Sequence, residues 1–418
     1  MAVRTQDARR ERTRRRSTAG AVLATLLLAP ACAGPRDSAG GLTAREVGVT
    51  LDRRATAVME HDTDAYLAAL DPRAASFRAA QRTELHNLAD VPLESWAYKV
   101  KDVSAKGEGK VTAEVELRYR IKGYDKAPMS SSRTVELVRR GEGRTWYIAA
   151  DRAADGAPGQ LWQQGDVEVV RGTSSLVLGV GRRKAELREI ADTADRAVPA
   201  VAGTWTEPWA ERVVVLVPES VEDMAGLLGS PAASYRDIAA VTTGEVGGGG
   251  GRAPADRVIV NPQAYALLGD FGQRVVLTHE TTHVATRAYT SPATPVWLSE
   301  GFADWTAYRK ESRTAPEIAP ELADAVRGGD LPAGLPTDED FGFGEDPAKL
   351  SRAYEGAWLA CEMIARDWGD EQLIAFYKAV GSSAGRDGAV EQAMHTVLGT
   401  TPQDFTARWR EYLSDRLG

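Results

Sequence analysis

His279-Glu280-Thr281-Thr282-His283 constrains this chain more than any other stretch, and it takes two of the five histidines in 418 residues. In an α-helix, residues four apart lie one above the other on a single face, so both imidazoles can reach one metal ion. Glu280 is rotated about 100° around the axis from His279, close to such an ion without binding it. A carboxylate there can take a proton from a water that the ion activates. A chance match on a solvated helix face is the plain alternative, and the flanking residues argue against it. Asp270 and Gln273 read as a capping pair that starts a helix. Pro292 and Pro295 stop it.

A second helix is expected over Pro295 to Trp305, with Glu300 and Asp304 on one face. A catalytic zinc takes three protein ligands and leaves a fourth position for water, and Glu300 is the natural third ligand beside His279 and His283. Asp304, one turn further on, is placed to accept a hydrogen bond from the far nitrogen of a ligating His and so fix its tautomer. In the alternative, Glu300 only caps a helix and Asp304 is solvated.

His279, Glu280, His283, the run Trp297-Leu298-Ser299-Glu300-Gly301-Phe302-Ala303 and Asp304 together resemble the gluzincin zinc metallopeptidases. Members of that clan carry His-Glu-x-x-His and then a Glu inside Glu-Gly-x-Ala. The likeness runs on through Tyr354-Glu355-Gly356-Ala357 to Thr401-Pro402-Gln403-Asp404-Phe405, and so spans residues 165–418. It implies a two-lobed thermolysin-like domain, zinc, a water nucleophile and hydrolysis of peptide bonds, with Glu280 moving the proton. Sixteen residues (284 to 299) separate His283 from Glu300, slightly fewer than in the aminopeptidase branch. The segment that holds a substrate amino terminus in that branch is missing, which favours an endopeptidase. The developing oxyanion requires a further donor. The resemblance suggests Tyr354, although here the Tyr lies two residues before Gly356 instead of three. A boundary role for Tyr354 stays open, and His395 is the other possible donor.

Seven arginines between Arg4 and Arg16, against Asp7 and Glu11, precede an apolar run from Ala19 to Ala31 that ends at Cys32. A positive region, a short apolar core and small residues before a cysteine describe a signal peptide over residues 1–32. The roughly 11 apolar residues are too few to cross a bilayer core of about 30 Å. Cys32 is then a candidate for lipidation, which would place the protein on the outer face of a bacterial membrane; ordinary cleavage would make it secreted. The net charge is −8, and losing residues 1–31 removes seven Arg and two acids, leaving −13. So acidic a chain is unsuited to nucleic acid and to simple electrostatic attachment to anionic lipid, leaving the lipid as the membrane link; the peptide or protein partner is what the resemblance implies. Cys361, the other cysteine, sits in an apolar helical stretch and reads as a small hydrophobe.

The expected class is α+β in two domains behind a linker at residues 33–41. Residues 42–164 show helices first (Leu42 to Leu70, Ala74 to Leu88) and antiparallel strands after them, an order similar to an NTF2-like cone. Val111, Ala113, Val115, Leu117, Tyr119 and Ile121 alternate with polar residues as a half-buried strand. Thr134–Val138 and Thr145–Ala149 read as a hairpin. Residues 165–418 mix strands and helices up to the metal motif and are then helical, with Ala315 to Leu350 expected as a surface excursion rich in Pro, Gly and acids. Gly247 to Gly251 read as a mobile connector. A second function class stays open beside the peptidase, a catalytically silent zinc-binding lipoprotein that acts as a binding or assembly factor in the cell envelope.

Overall fold

The structure, a computed structural model, describes residues 37–141, 145–243, 255–342 and 347–418. The signal-peptide reading, Cys32 and Gly247 to Gly251 lie outside the described residues. The chain is mixed α and β, with one antiparallel sheet and one mixed sheet. No helix among the described residues is long and apolar enough to cross a membrane.

Helices α1 (Asp37–Met59), α2 (Thr63–Ala68) and α3 (Ala75–Asn87) come first. Residues 37–41, expected as linker, are already the first turns of α1. The single long helix expected to Leu70 is instead broken between α1 and α2, where His61 takes a positive φ of 54° and Asp62 caps α2 by accepting from the Ala65 amide. Four strands follow as an antiparallel meander: β1 (Leu93–Ala105), β2 (Lys110–Ile121), β3 (Met129–Arg140) and β4 (Thr145–Ala153). The alternation in β2 is as expected, with every second side chain buried from Val111 to Ile121. Val47, Leu51 and Val58 of α1 join this core.

The second sheet has the order β5-β6-β7-β9-β8, from β5 (Val167–Arg171), β6 (Ser175–Val180), β7 (Val213–Val217), β8 (Ala240–Thr242) and β9 (Val258–Val260). β6, β7 and β9 run parallel, and β5 and β8 are antiparallel edges. Every residue of β6 is buried, as a strand covered on both faces must be. One face meets α4 (Lys184–Ala202), so that Val177, Val215 and Val258 pack with Leu187, Ala194 and Val198. The short α5 (Val221–Leu228) and α6 (Pro262–Ala266) lead to α7 (Asp270–Thr286), which packs beside α4 on that same face. On the other face, Leu176, Leu178, Val214 and Ile259 share one core with Trp96, Tyr119 and Trp162 of the N-terminal half. The two halves therefore do not have separate cores.

A buried ion pair ties them further. Asp125, in the turn between β2 and β3, accepts both Arg257 Nη atoms at 2.7 Å and also the Ile121 amide at 2.7 Å. Arg257 immediately precedes β9.

The rest is helical: α8 (Val296–Tyr308), α9 (Ala315–Ile318), α10 (Pro320–Arg327), α11 (Pro347–Trp368), α12 (Asp370–Gly381), α13 (Ala389–Ala393) and α14 (Pro402–Leu417). Their core holds Phe302, Trp358, Phe376, Tyr377, Phe405 and Trp409, with Cys361 buried as a free thiol. The expected surface excursion is corrected in part. Ala315, Ala319, Leu322 and Ala323 belong to this core, and Asp338 Oδ1 accepts from the Val296 amide to cap α8.

Asp125→Ala removes both the partner of a buried guanidinium and the acceptor of a buried amide. Breaking such a pair costs roughly 3–5 kcal/mol, which urea unfolding of the full chain measures. A loss below about 1 kcal/mol, the level of a surface pair, would show that this contact does not hold the halves together.

Candidate metal centre

α7 is unusual for a buried helix, because the side chains it buries from Thr278 to Thr286 are mostly polar. Two are satisfied locally: the Thr282 and Thr286 hydroxyls donate to the carbonyls of Thr278 and Thr282 at 2.8 and 3.0 Å. The expected Asp270–Gln273 capping pair does not form. Gly269 is the N-cap, and Gln273 Nε2 instead donates to the Tyr265 and Leu268 carbonyls, tying down the loop in front of the helix.

α8 brings Glu300 against the two histidines. A Cβ on Gly301 would stand 2.3 Å from the Ala357 carbonyl oxygen of α11 and 3.1 Å from Cys361 Sγ. Only glycine lets the two helices lie this close, so the Gly of the Glu-Gly-x-Ala run sets the depth at which Glu300 sits.

His279 Nε2, His283 Nε2 and Glu300 Oε2 form a buried triangle with edges of 2.9, 3.2 and 3.6 Å. His279 Nδ1 is 2.7 Å from Asp304 Oδ1, so the ring donates there and presents a lone pair at Nε2. Opposite stands Glu300, which burial alone would neutralise, yet the facing His283 and His279 rings hold it well below the usual carboxylate range. For His279, burial opposes charge, but Asp304 and then Glu300 win and push it up to about 10. Both shifts favour positive charge at the centre of the triangle, which a proton or a metal ion can supply. Four ligands set tetrahedrally about 2.0–2.1 Å from an ion are roughly 3.3 Å apart, which the observed edges bracket. The donor set fits a divalent metal with a position left for solvent.

Glu280, also buried, does not join the triangle. Its Oε2 accepts from the Thr242 hydroxyl at 2.6 Å, which also lies 3.1 Å from the Glu280 carbonyl. Thr242 ends the edge strand β8 and went unnoticed in the sequence, where nothing marks a lone hydroxyl in a short strand.

Tyr354 is not at a helix start, as expected, but two turns into α11. It precedes Ala357 by three residues and so lies on the helix face that meets α8 at Gly301. Its hydroxyl is buried without a hydrogen-bond partner among the described residues. Burial first, then the Glu300, Asp304 and Glu280 carboxylates, push it well above the ordinary phenol range. A buried hydroxyl with no partner among the described residues keeps a proton to give. His395, the other possible donor, is exposed on a π-turn at Met394–Leu398. Sequence reasoning also missed Asp256, which pairs with Arg287 just beyond α7, both oxygens at 3.2 Å from Nε.

Asp304→Ala leaves the three ligands in place but frees the His279 ring. A loss of roughly 10–100-fold in metal affinity is expected, read by competition against a chromophoric chelator. Unchanged affinity would reduce Asp304 to a bystander.

No protein-family model and no curated protein matches this sequence.

Proposed function

We propose that the chain is a zinc-dependent endopeptidase with a gluzincin-type catalytic domain behind an NTF2-like N-terminal domain. The observation that carries this is the buried His279–His283–Glu300 triangle with an uncommitted carboxylate, Glu280, one residue along the same helix. Two imidazoles and a carboxylate suit zinc among the first-row metals. Zinc, when bound, supplies a Lewis acid that polarises a scissile carbonyl and makes water nucleophilic near neutral pH.

The remaining chemistry belongs to the chain. Glu280 accepts the proton of the attacking water and passes it to the leaving amine. Thr242 holds that carboxylate by one oxygen and leaves the other free to work. Asp304 keeps the proton of His279 on Nδ1, so that Nε2 stays a ligand. Tyr354 donates to the oxyanion that develops on the scissile carbonyl, which supplies its missing partner. Among the described residues β8 pairs with β9 on one side only, so its outer edge can take an extended peptide by main-chain hydrogen bonds beside Glu280. An arginine-rich, then apolar leader ending at Cys32 would deliver the enzyme to the outer face of a bacterial membrane, held by a lipid on that cysteine.

Glu280→Gln is expected to retain one zinc per chain and to lose at least about a hundredfold of its hydrolysis of a peptide library. Equal turnover before and after the change would sink the proposal. A wild-type protein that holds zinc and cleaves nothing would point to the binding or assembly role instead. Tyr354→Phe should lower kcat by roughly 10²–10³ while leaving KM nearly unchanged; a change confined to KM would remove Tyr354 from the chemistry. Cys32→Ser should move the protein from the membrane fraction to the medium, and unaltered fractionation would rule out the lipid.

A further inference from the structure

Far from the metal centre, α1 and the first sheet enclose a second set of charges that does not balance. Arg54 of α1, Arg133 of β3 and Asp151 of β4 have side chains only 2%, 3% and 2% exposed. One carboxylate serves both guanidinium groups: Asp151 Oδ2 accepts Arg54 Nη1 and Oδ1 accepts Arg133 Nε, each at 2.6 Å. With both of its oxygens engaged, two positive charges face one negative charge, an excess of +1. Arg54 Nη2 reaches only neutral groups, the Tyr66 hydroxyl at 2.8 Å and Gln81 Oε1. Half-buried Glu84 touches the cluster through Gln81, whose Nε2 donates to it at 2.6 Å.

The donors do not balance either. Arg54 Nε, Arg133 Nη1 and the Ser131 hydroxyl are buried with no partner among the described residues. Ser131 and Arg133 are two apart on β3 and so share a face. Asp151 lies opposite Val135 in the β3–β4 register and is on that face too. A buried charge without a counter-charge costs several kcal/mol, and each unmade buried hydrogen bond costs about 1–3 kcal/mol.

We infer that the interior of the N-terminal half is a binding site for a small carboxylate, held by Arg54, Arg133 and Ser131 beside Asp151. A monoanion cancels the excess, whereas a dianionic phosphate would reverse it. A carboxylate also accepts from several N–H and O–H donors at once, as Asp151 already does here. This site is independent of the peptidase chemistry, since its readout is binding alone.

The test is the thermal midpoint of the full chain titrated with sodium acetate at constant ionic strength. A saturable rise is expected, because a ligand bound by the folded chain alone stabilises it by mass action. Arg133→Met should abolish the rise. Ser131→Ala breaks no existing hydrogen bond and removes an unpaired buried hydroxyl, so it should hold or raise the unliganded midpoint while weakening half-saturation roughly fivefold, and it remains informative if Arg133→Met does not fold. A stronger response to alanyl-alanine than to acetate would keep the site and assign it to a peptide carboxyl terminus. No saturable response, an equal response to chloride, or acetate behaviour unaltered in Ser131→Ala would overturn the inference.

Discussion

Three lone pairs pointing at one buried spot are the constraint on which the C-terminal half is built. Without positive charge between them, His279 Nε2, His283 Nε2 and Glu300 Oε2 would repel at separations of 2.9–3.6 Å in a medium that screens poorly. The surrounding chain keeps them together. Asp304 holds one ring from behind, and Gly301 lets α11 lie flat on α8. Thr242 diverts Glu280 towards β8, so that a second carboxylate does not collapse into the triangle. An acid that ligated would be lost as a base.

The N-terminal half is part of the same physical unit. The second sheet has apolar residues on both faces, and only one of them is covered by α4 and α7. The other would be bare without Trp96, Tyr119 and Trp162, whose rings lie 5.1–5.8 Å apart by centroid in the shared core. Asp125 closes the contact at Arg257, beside the strand whose neighbour, β8, carries Thr242. Whatever substrate edge β8 offers is therefore braced from the N-terminal side.

What the sequence made legible was what depends on local periodicity. The ligand spacing on α7, the pairing of Glu300 with Asp304 on α8, and the alternation in β2 all follow from one helix or one strand read alone. β1 was missed because bulges at Leu93/Ser95 and Val100/Asp102 and a run of charged residues blur its alternation. The stretch after Ala315 was misjudged from composition, although Ala315, Ala319, Leu322 and Ala323 recur at helical spacing and do face the core. Thr242 to Glu280 spans 38 residues and Arg257 to Asp125 spans 132, and such pairings leave no local signature. The likeness to gluzincins came from the motif residues; the direction in which Glu280 and Tyr354 are held came only with the fold.

A helix that buries polar side chains on nearly every face is poor at stabilising a fold, and α7 shows how the cost is limited. Thr282 and Thr286 bond back to their own turn, Glu280 bonds to Thr242, and His279 bonds to Asp304. With those satisfied groups set aside, what remains are three converging ligand atoms, and the Tyr354 hydroxyl with no partner among the described residues. Groups left over after such accounting are where a protein has kept polarity for something other than stability. In the proposed reaction they would hold a metal cation and donate to the oxyanion that develops as water attacks a polarised carbonyl.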